Sequence, residues 1–105
     1  MNRVKKIVHC DGNFDGQDLV VAIMDTGVSM HPDLDGRIWM FRDFVNGRID
    51  IYDDNGHGTH VCGIIGGSRV GIAPKCKMIV LKVLDREGNG SVEQSMKAFR
   101  WILEN

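Results

Sequence analysis

Almost no net charge remains when the thirteen Lys and Arg of this chain are set against its fourteen Asp and Glu, a balance of −1. That gives no electrostatic case for binding nucleic acid or an anionic membrane surface. Long hydrophobic runs are missing as well. The longest, Leu19–Met24, has six residues, far short of the roughly 20 that cross a bilayer. The basic start Met1-Asn2-Arg3-Val4-Lys5-Lys6 is followed by neither an apolar stretch nor a small-residue cleavage site, so it does not read as a secretory signal. Cysteine is sparse and odd in number (Cys10, Cys62, Cys76), with no C-x-x-C pair. This argues for free thiols in a reducing compartment over a disulfide framework. The expected location is the cytoplasm, or outside the cell if a leader has been removed. There is no internal repeat and no low-complexity tract.

What is present suits one compact domain. A hydrophobic fraction of 43% over 105 residues can bury roughly 60–70% of the extended surface. Residues 1–18 are polar and punctuated by Asp11-Gly12 and Asp15-Gly16, which reads as an arm with turns. Residues 19–105 read as the α/β core. Leu19–Met24, continuously apolar and rich in β-branched residues, predicts a strand covered on both faces, as in a parallel sheet. His31-Pro32-Asp33-Leu34-Asp35-Gly36 is turn chemistry, and Ile38–Val45 a short strand. A polar lead-in, Asp53-Asp54-Asn55-Gly56, precedes a helix from about His57 to Ile65. Met78–Val83 is the next strand, and 85–90 a charged, glycine-bearing loop. Ser91 with Gln94 three residues on forms a capping box for a last helix. Its Val92, Met96, Phe99, Ile102 and Leu103 share one face. Alternating strands and helices predict an α/β layer fold with a parallel sheet flanked by helices.

Two short strings carry the chemistry. Asp25-Thr26-Gly27 lies just past the carboxyl end of the first strand, where open α/β sheets place their sites. A carboxylate held rigidly there can orient a histidine through its Nδ1–H; Asp-Thr-Gly is also ordinary turn composition. His57, in His57-Gly58-Thr59-His60, begins a helix, a rigid mount for a general base. His60 follows three residues on. That His-x-x-His spacing, with His31 or Asp54, could form a metal site, but neither a His-Glu-x-x-His string nor a cysteine pair supports one. No zinc or other cofactor is expected.

These strings belong to a longer series. Val20–Val28 with Asp25-Thr26-Gly27, His31-Pro32-Asp33-Leu34, Asn55–Gly63 with His57-Gly58-Thr59-His60, Gly71-Ile72-Ala73-Pro74 and Leu81-Lys82-Val83-Leu84 resemble successive blocks of the subtilisin-like serine protease family. The blocks stand in family order over most of residues 19–104. The resemblance implies part of that family's three-layer α/β fold, in which Asp25 is the triad carboxylate, His57 the triad base and His60 a neighbouring structural histidine. Gly88-Asn89-Gly90 would be the loop edge that pairs with the substrate's main chain, a mode that tolerates varied side chains.

The departures from the family pattern set the expectations for activity. No Gly-Thr-Ser-type nucleophile segment occurs, nor the downstream asparagine that donates to an oxyanion. Ser95-Met96 only echoes that string, inside the last helix, and Ser29, Ser68 and Ser91 lack the flanking residues. Cys62 and Cys76 stand where small residues are common and are expected as buried hydrophobes. The 66–71 connection is too short to wrap calcium beside Asp33. The resemblance therefore implies a serine endopeptidase acting on peptides or proteins, of which this chain supplies Asp25 and His57 but not the serine. Its other expected partner is the rest of such a domain. Two alternatives stay open: a retroviral-type aspartic protease, whose dimer would pair two copies of Asp25, and a non-catalytic fragment that binds a partner through an uncovered apolar face.

Overall fold

A computed structural model describes residues 16–69 and 71–105. The sheet is built from β1 (Val20–Asp25), β2 (Ile38–Asp43) and β3 (Lys77–Lys82), and the helices are α1 (His57–Gly66) and α2 (Val92–Glu104). A single 3₁₀ turn, Pro32–Leu34, leads into β2. Most of the anticipated arm, with Cys10, lies outside the described residues; its last turn closes through Leu19 N–H on the Gly16 carbonyl.

Both strand pairs of the sheet are parallel, in the order β1-β3-β2. The central strand, β3, carries the alternation that organises both faces. Met78 and Val80 point to one side, into a cluster with Ile23, Val28, Leu34, Cys62 and Cys76, against which Val61 and Ile65 of α1 pack. Leu81 and Val83 point to the other, with Ala98 of α2, joined by Ile79, Trp101 and Ile102. Arg42 of β2 lies 5.4 Å from the Trp101 ring centroid on that second side. The two helices thus cover opposite faces, giving the helix–sheet–helix layering expected of the α/β reading.

Three expectations need correcting. Asp25 is the last residue of β1, not the first beyond it, and pairs with Lys82. The Asp25 carbonyl then accepts from Val83 and Leu84 N–H at 2.9 and 3.2 Å, which ends the ladder at Lys82. Second, β1 is covered unequally: Val20, Ala22 and Met24, on the side that carries α2, stay partly exposed. Third, the apolar stripe of α2 divides. Ala98, Trp101 and Ile102 pack with Ile79, Leu81 and Val83, and the helix backbone also runs close to β1, while Val92, Met96, Phe99 and Leu103 remain exposed. Between this stripe and Met24 runs an apolar groove of about 430 Å³. Ser91 Oγ accepts from Gln94 N–H at 3.0 Å, the first half of the predicted capping box.

Candidate active site

The carboxyl ends of β1 and β3 and the first turn of α1 meet at one point. Asp25 is in phase with Val21 and Ile23, so alternation turns it inward, and it is buried. Its Oδ1 accepts from Thr26 N–H at 2.7 Å, which fixes the carboxylate plane. His57 opens α1 after Gly56, whose φ of 105° is the left-handed turn that starts the helix at this residue. Asn55 Oδ1 accepts from His57 N–H at 3.0 Å. The imidazole Nδ1 lies 2.8 Å from Asp25 Oδ1 and 3.0 Å from Oδ2. The His57 side chain is 63% exposed and that of Asp25 only 11%. The ring is therefore anchored from below and open above. The hydrogen bond that Asp25 accepts from the ring, and then its charge, push the His57 imidazole above its ordinary pKa.

Backbone meets backbone beneath this pair. A Cβ at Gly58 would stand 2.1 Å from the Gly27 carbonyl oxygen, so glycine alone permits α1 to approach the end of β1 this closely.

Sequence reasoning missed two residues here. Lys82, in phase with Met78 and Val80 on the core face of β3, is fully buried. Its Nζ donates to the Thr26 carbonyl (2.7 Å), the Leu84 carbonyl (2.7 Å) and Asp54 Oδ1 (2.8 Å). Asp53, read only as polar lead-in, accepts five hydrogen bonds from Thr26, Asn55, Gly56 and Thr59. The available signal was phase for Lys82: a charge at a core-facing position must find partners. For Asp53 the turn composition was the local signal, since it accepts from Asn55 and Gly56 N–H, but its bond to Thr26 spans 27 residues and left no trace in the sequence.

Among the described residues no group of three or more His, Cys, Asp or Glu is placed to hold a metal ion. Asp54 is committed to Lys82, and His31 Nδ1 accepts from Asp33 N–H at 3.1 Å. His60 lines a separate cavity with His31 and Asp33. Asp33 Oδ1 accepts from Arg69 N–H at 3.0 Å, so this carboxylate fastens the short 66–71 connection. Cys62 and Cys76 are buried free thiols, and burial pushes Cys62 up to about 12.

Gly88, Asn89 and Gly90 form the outer limb of a tight turn. Asp85 Oδ1 accepts from Glu87 and Asn89 N–H, both at 2.9 Å, and Asp85 N–H donates to the Asn89 carbonyl at 2.8 Å. Gly90 bridges to Leu84 antiparallel. Asn55 Nδ2 donates to the Arg86 carbonyl at 2.9 Å, which docks this turn beside the start of α1 and so beside His57. All three residues are exposed. The main-chain groups of Asn89 and the N–H of Gly88, which donates to the Asp85 carbonyl at 2.9 Å, are however spent within the turn.

A parallel α/β sheet bearing a buried carboxylate that grips an exposed imidazole defines a class of hydrolase-like site. The comparisons narrow it: the subtilase family profile matches residues 16–105, and the chain belongs to that family. It is 36% identical over 110 aligned residues to "Serine protease AprX" of Bacillus subtilis (strain 168), covering 98% of this chain and 25% of that protein. To "Subtilisin Savinase" of Lederbergia lenta it is 39% identical over 95 residues, covering 86% and 35%. A solved structure described as "Crystal structure of a cold adapted subtilisin-like serine proteinase" superposes with a TM-score of 0.83 at 38% identity, covering 90% of this chain and 35% of that one. The chain thus spans between a quarter and about a third of the length of these relatives. The aspartic-protease alternative falls with this. Asp25 is engaged by His57 on a parallel, helix-flanked sheet, whereas that mechanism needs a nearly all-β dimer with Asp25 facing its own copy.

Proposed function

We propose that this chain supplies the Asp–His half of a serine endopeptidase site. The observation that carries the reading is the imidazole Nδ1 held between 2.8 and 3.0 Å from both Asp25 oxygens. In that arrangement Nδ1–H is fixed toward the carboxylate and Nε2 is left to act as the base. His57 would take the proton of an attacking serine hydroxyl and return it to the leaving amine, while Asp25 stabilises the imidazolium. Among the described residues no serine hydroxyl is bonded to His57. Ser91 Oγ caps α2, and Ser95 lies along the α2 groove. The nucleophile and the oxyanion donor would therefore come from elsewhere in a complete subtilase domain, and the chain by itself would be inactive.

In this reading the Gly88-Asn89-Gly90 segment presents the edge that reads a peptide substrate's main chain, with Gly90 and the Gly88 carbonyl as the groups not spent within the turn. Their exposure and the docking of their turn beside His57 support it. The partner of the exposed apolar stripe would be the remainder of such a domain, a role supported by the small share of the relatives that this chain covers.

The test combines peptide hydrolysis with a serine-reactive phosphonate probe, on the chain alone and on the chain extended by the remaining part of a relative's domain. The chain alone is expected to be silent and unlabelled. The extended chain should cleave peptides and lose about 10⁶-fold in kcat on His57→Ala, the size such losses take in subtilisin itself. Labelling of the chain alone at one of its own serines would overturn the assignment.

A further inference from the structure

Asp25 and His57 sit on different elements, 32 residues apart in sequence. Their own attraction cannot hold that geometry, because solvent screens a pair with one partner this exposed. Something else must fasten the end of β1 to the start of α1.

We propose that Asp53 is the positioning residue that joins the two segments, clamping Thr26 and Thr59 on one carboxylate. The role rests on the Asp25–His57 reading above. Oδ1 accepts from Thr26 Oγ1–H at 2.9 Å and from the N–H groups of Gly56 and Asn55 at 2.8 and 3.1 Å. Oδ2 accepts from Thr59 N–H at 2.9 Å and Thr59 Oγ1–H at 2.6 Å. Thr26 directly follows Asp25, and Thr59 lies two residues after His57.

Each threonine hydroxyl has one proton, and Asp53 takes both. Their lone pairs are thereby turned outward, and each accepts from the opposite segment. Thr26 Oγ1 takes Gly58 N–H at 2.8 Å, and Thr59 Oγ1 takes Ser29 N–H at 2.9 Å. The result is a closed circuit of charge-assisted bonds. It ends on the reacting pair at both sides, through Thr26 N–H on Asp25 Oδ1 and through the Asn55–Gly56 turn that launches His57. Burial raises the Asp53 carboxyl, but the bonds from Gly56 and Thr59 outweigh it and hold the group well below the usual carboxylate range. The acceptor is thus ionised wherever the pair could work. An asparagine cannot substitute, since its Nδ2 would face donors on whichever side it took.

The experiment follows the His57 ring by ¹⁵N and ¹³C NMR across pH in the 105-residue chain. Asp25→Asn sets the full drop in the His57 titration midpoint. Asp53→Asn and Thr26→Val are expected to produce at least half of that drop, while Thr26→Ser, which keeps the hydroxyl, stays at the wild-type value. Thr26→Val leaves every charge in place, so it separates the clamp from simple loss of a nearby charge and decides alone should Asp53→Asn not fold. Asp50→Asn, an exposed carboxylate paired with Arg48, should leave the midpoint unmoved. If Asp25→Asn lowers the midpoint and Thr26→Val does not, the role of Asp53 is refuted and the pair stands. If Asp25→Asn itself leaves His57 unchanged, the pair is refuted and the role with it.

Discussion

Lys82→Met offers the sharpest test of how the floor of the site is held. The lysine is fully buried, and methionine fills most of its volume without strain. What the substitution removes is three hydrogen bonds. Asp54 is the least affected partner, since its side chain is a third exposed and the freed carboxylate can hydrate. The carbonyls of Thr26 and Leu84 are different. The first is buried and the second partly so, and neither has another donor among the described bonds. Leaving two such acceptors unpaired costs about 2–4 kcal/mol, a large fraction of the 5–15 kcal/mol typical of a domain. Urea denaturation followed by tryptophan fluorescence measures the difference directly. The double variant Lys82→Met with Asp54→Asn separates the causes. If carbonyl capping dominates, the second substitution restores less than about 1 kcal/mol. Near-complete recovery in the double variant would show that the stranded Asp54 charge sets the effect, and a single-variant loss below about 1 kcal/mol would refute the stabilising role of the capped carbonyls.

Three further outcomes are expected. Because Asp25 raises the His57 pKa in the folded state, the stability it contributes is fully present below the unfolded imidazole value of about 6.5 and is lost as pH rises through the higher folded value; urea midpoints across that window should show the decline in wild type and none in Asp25→Asn. Gly58→Ala drives a methyl into the Gly27 carbonyl and should cost about 1–3 kcal/mol while returning His57 to an ordinary titration, both read in the same NMR and urea series. Iodoacetamide at mildly alkaline pH should leave Cys62 and Cys76 unmodified in the folded chain and label them on unfolding, checked by peptide mass spectrometry, since burial pushes both thiols up.

The residues that were legible in the sequence are those whose roles are written locally. Asp25 and His57 each sit in a short string at an element boundary, and β1, β3 and α2 announce themselves by apolar runs or helical spacing. What escaped is what depends on distant chain. Lys82 looks like an ordinary strand-end lysine until the register sets it beside Asp25 and the phase with Met78 and Val80 turns it inward. Asp53 showed only its turn composition, because its partners Thr26 and Thr59 lie on separate elements. The apolar run of β1 misled in the opposite direction. Hydrophobicity states what a face is suited to bury, whereas coverage depends on which element lies over it. Here α2 turns Ala98, Trp101 and Ile102 onto Ile79, Leu81 and Val83, so Val20, Ala22 and Met24 stay partly open, with Met24 beside Met96 and Phe99. The same separation of suitability from contact holds at the site. Two motifs specify a carboxylate and an imidazole, and the Asp53 clamp, the Lys82 caps and the Gly27–Gly58 contact join the Asn55–Gly56 turn in setting them at hydrogen-bonding distance. The chemistry is therefore local in sequence, while its geometry belongs to the tertiary fold.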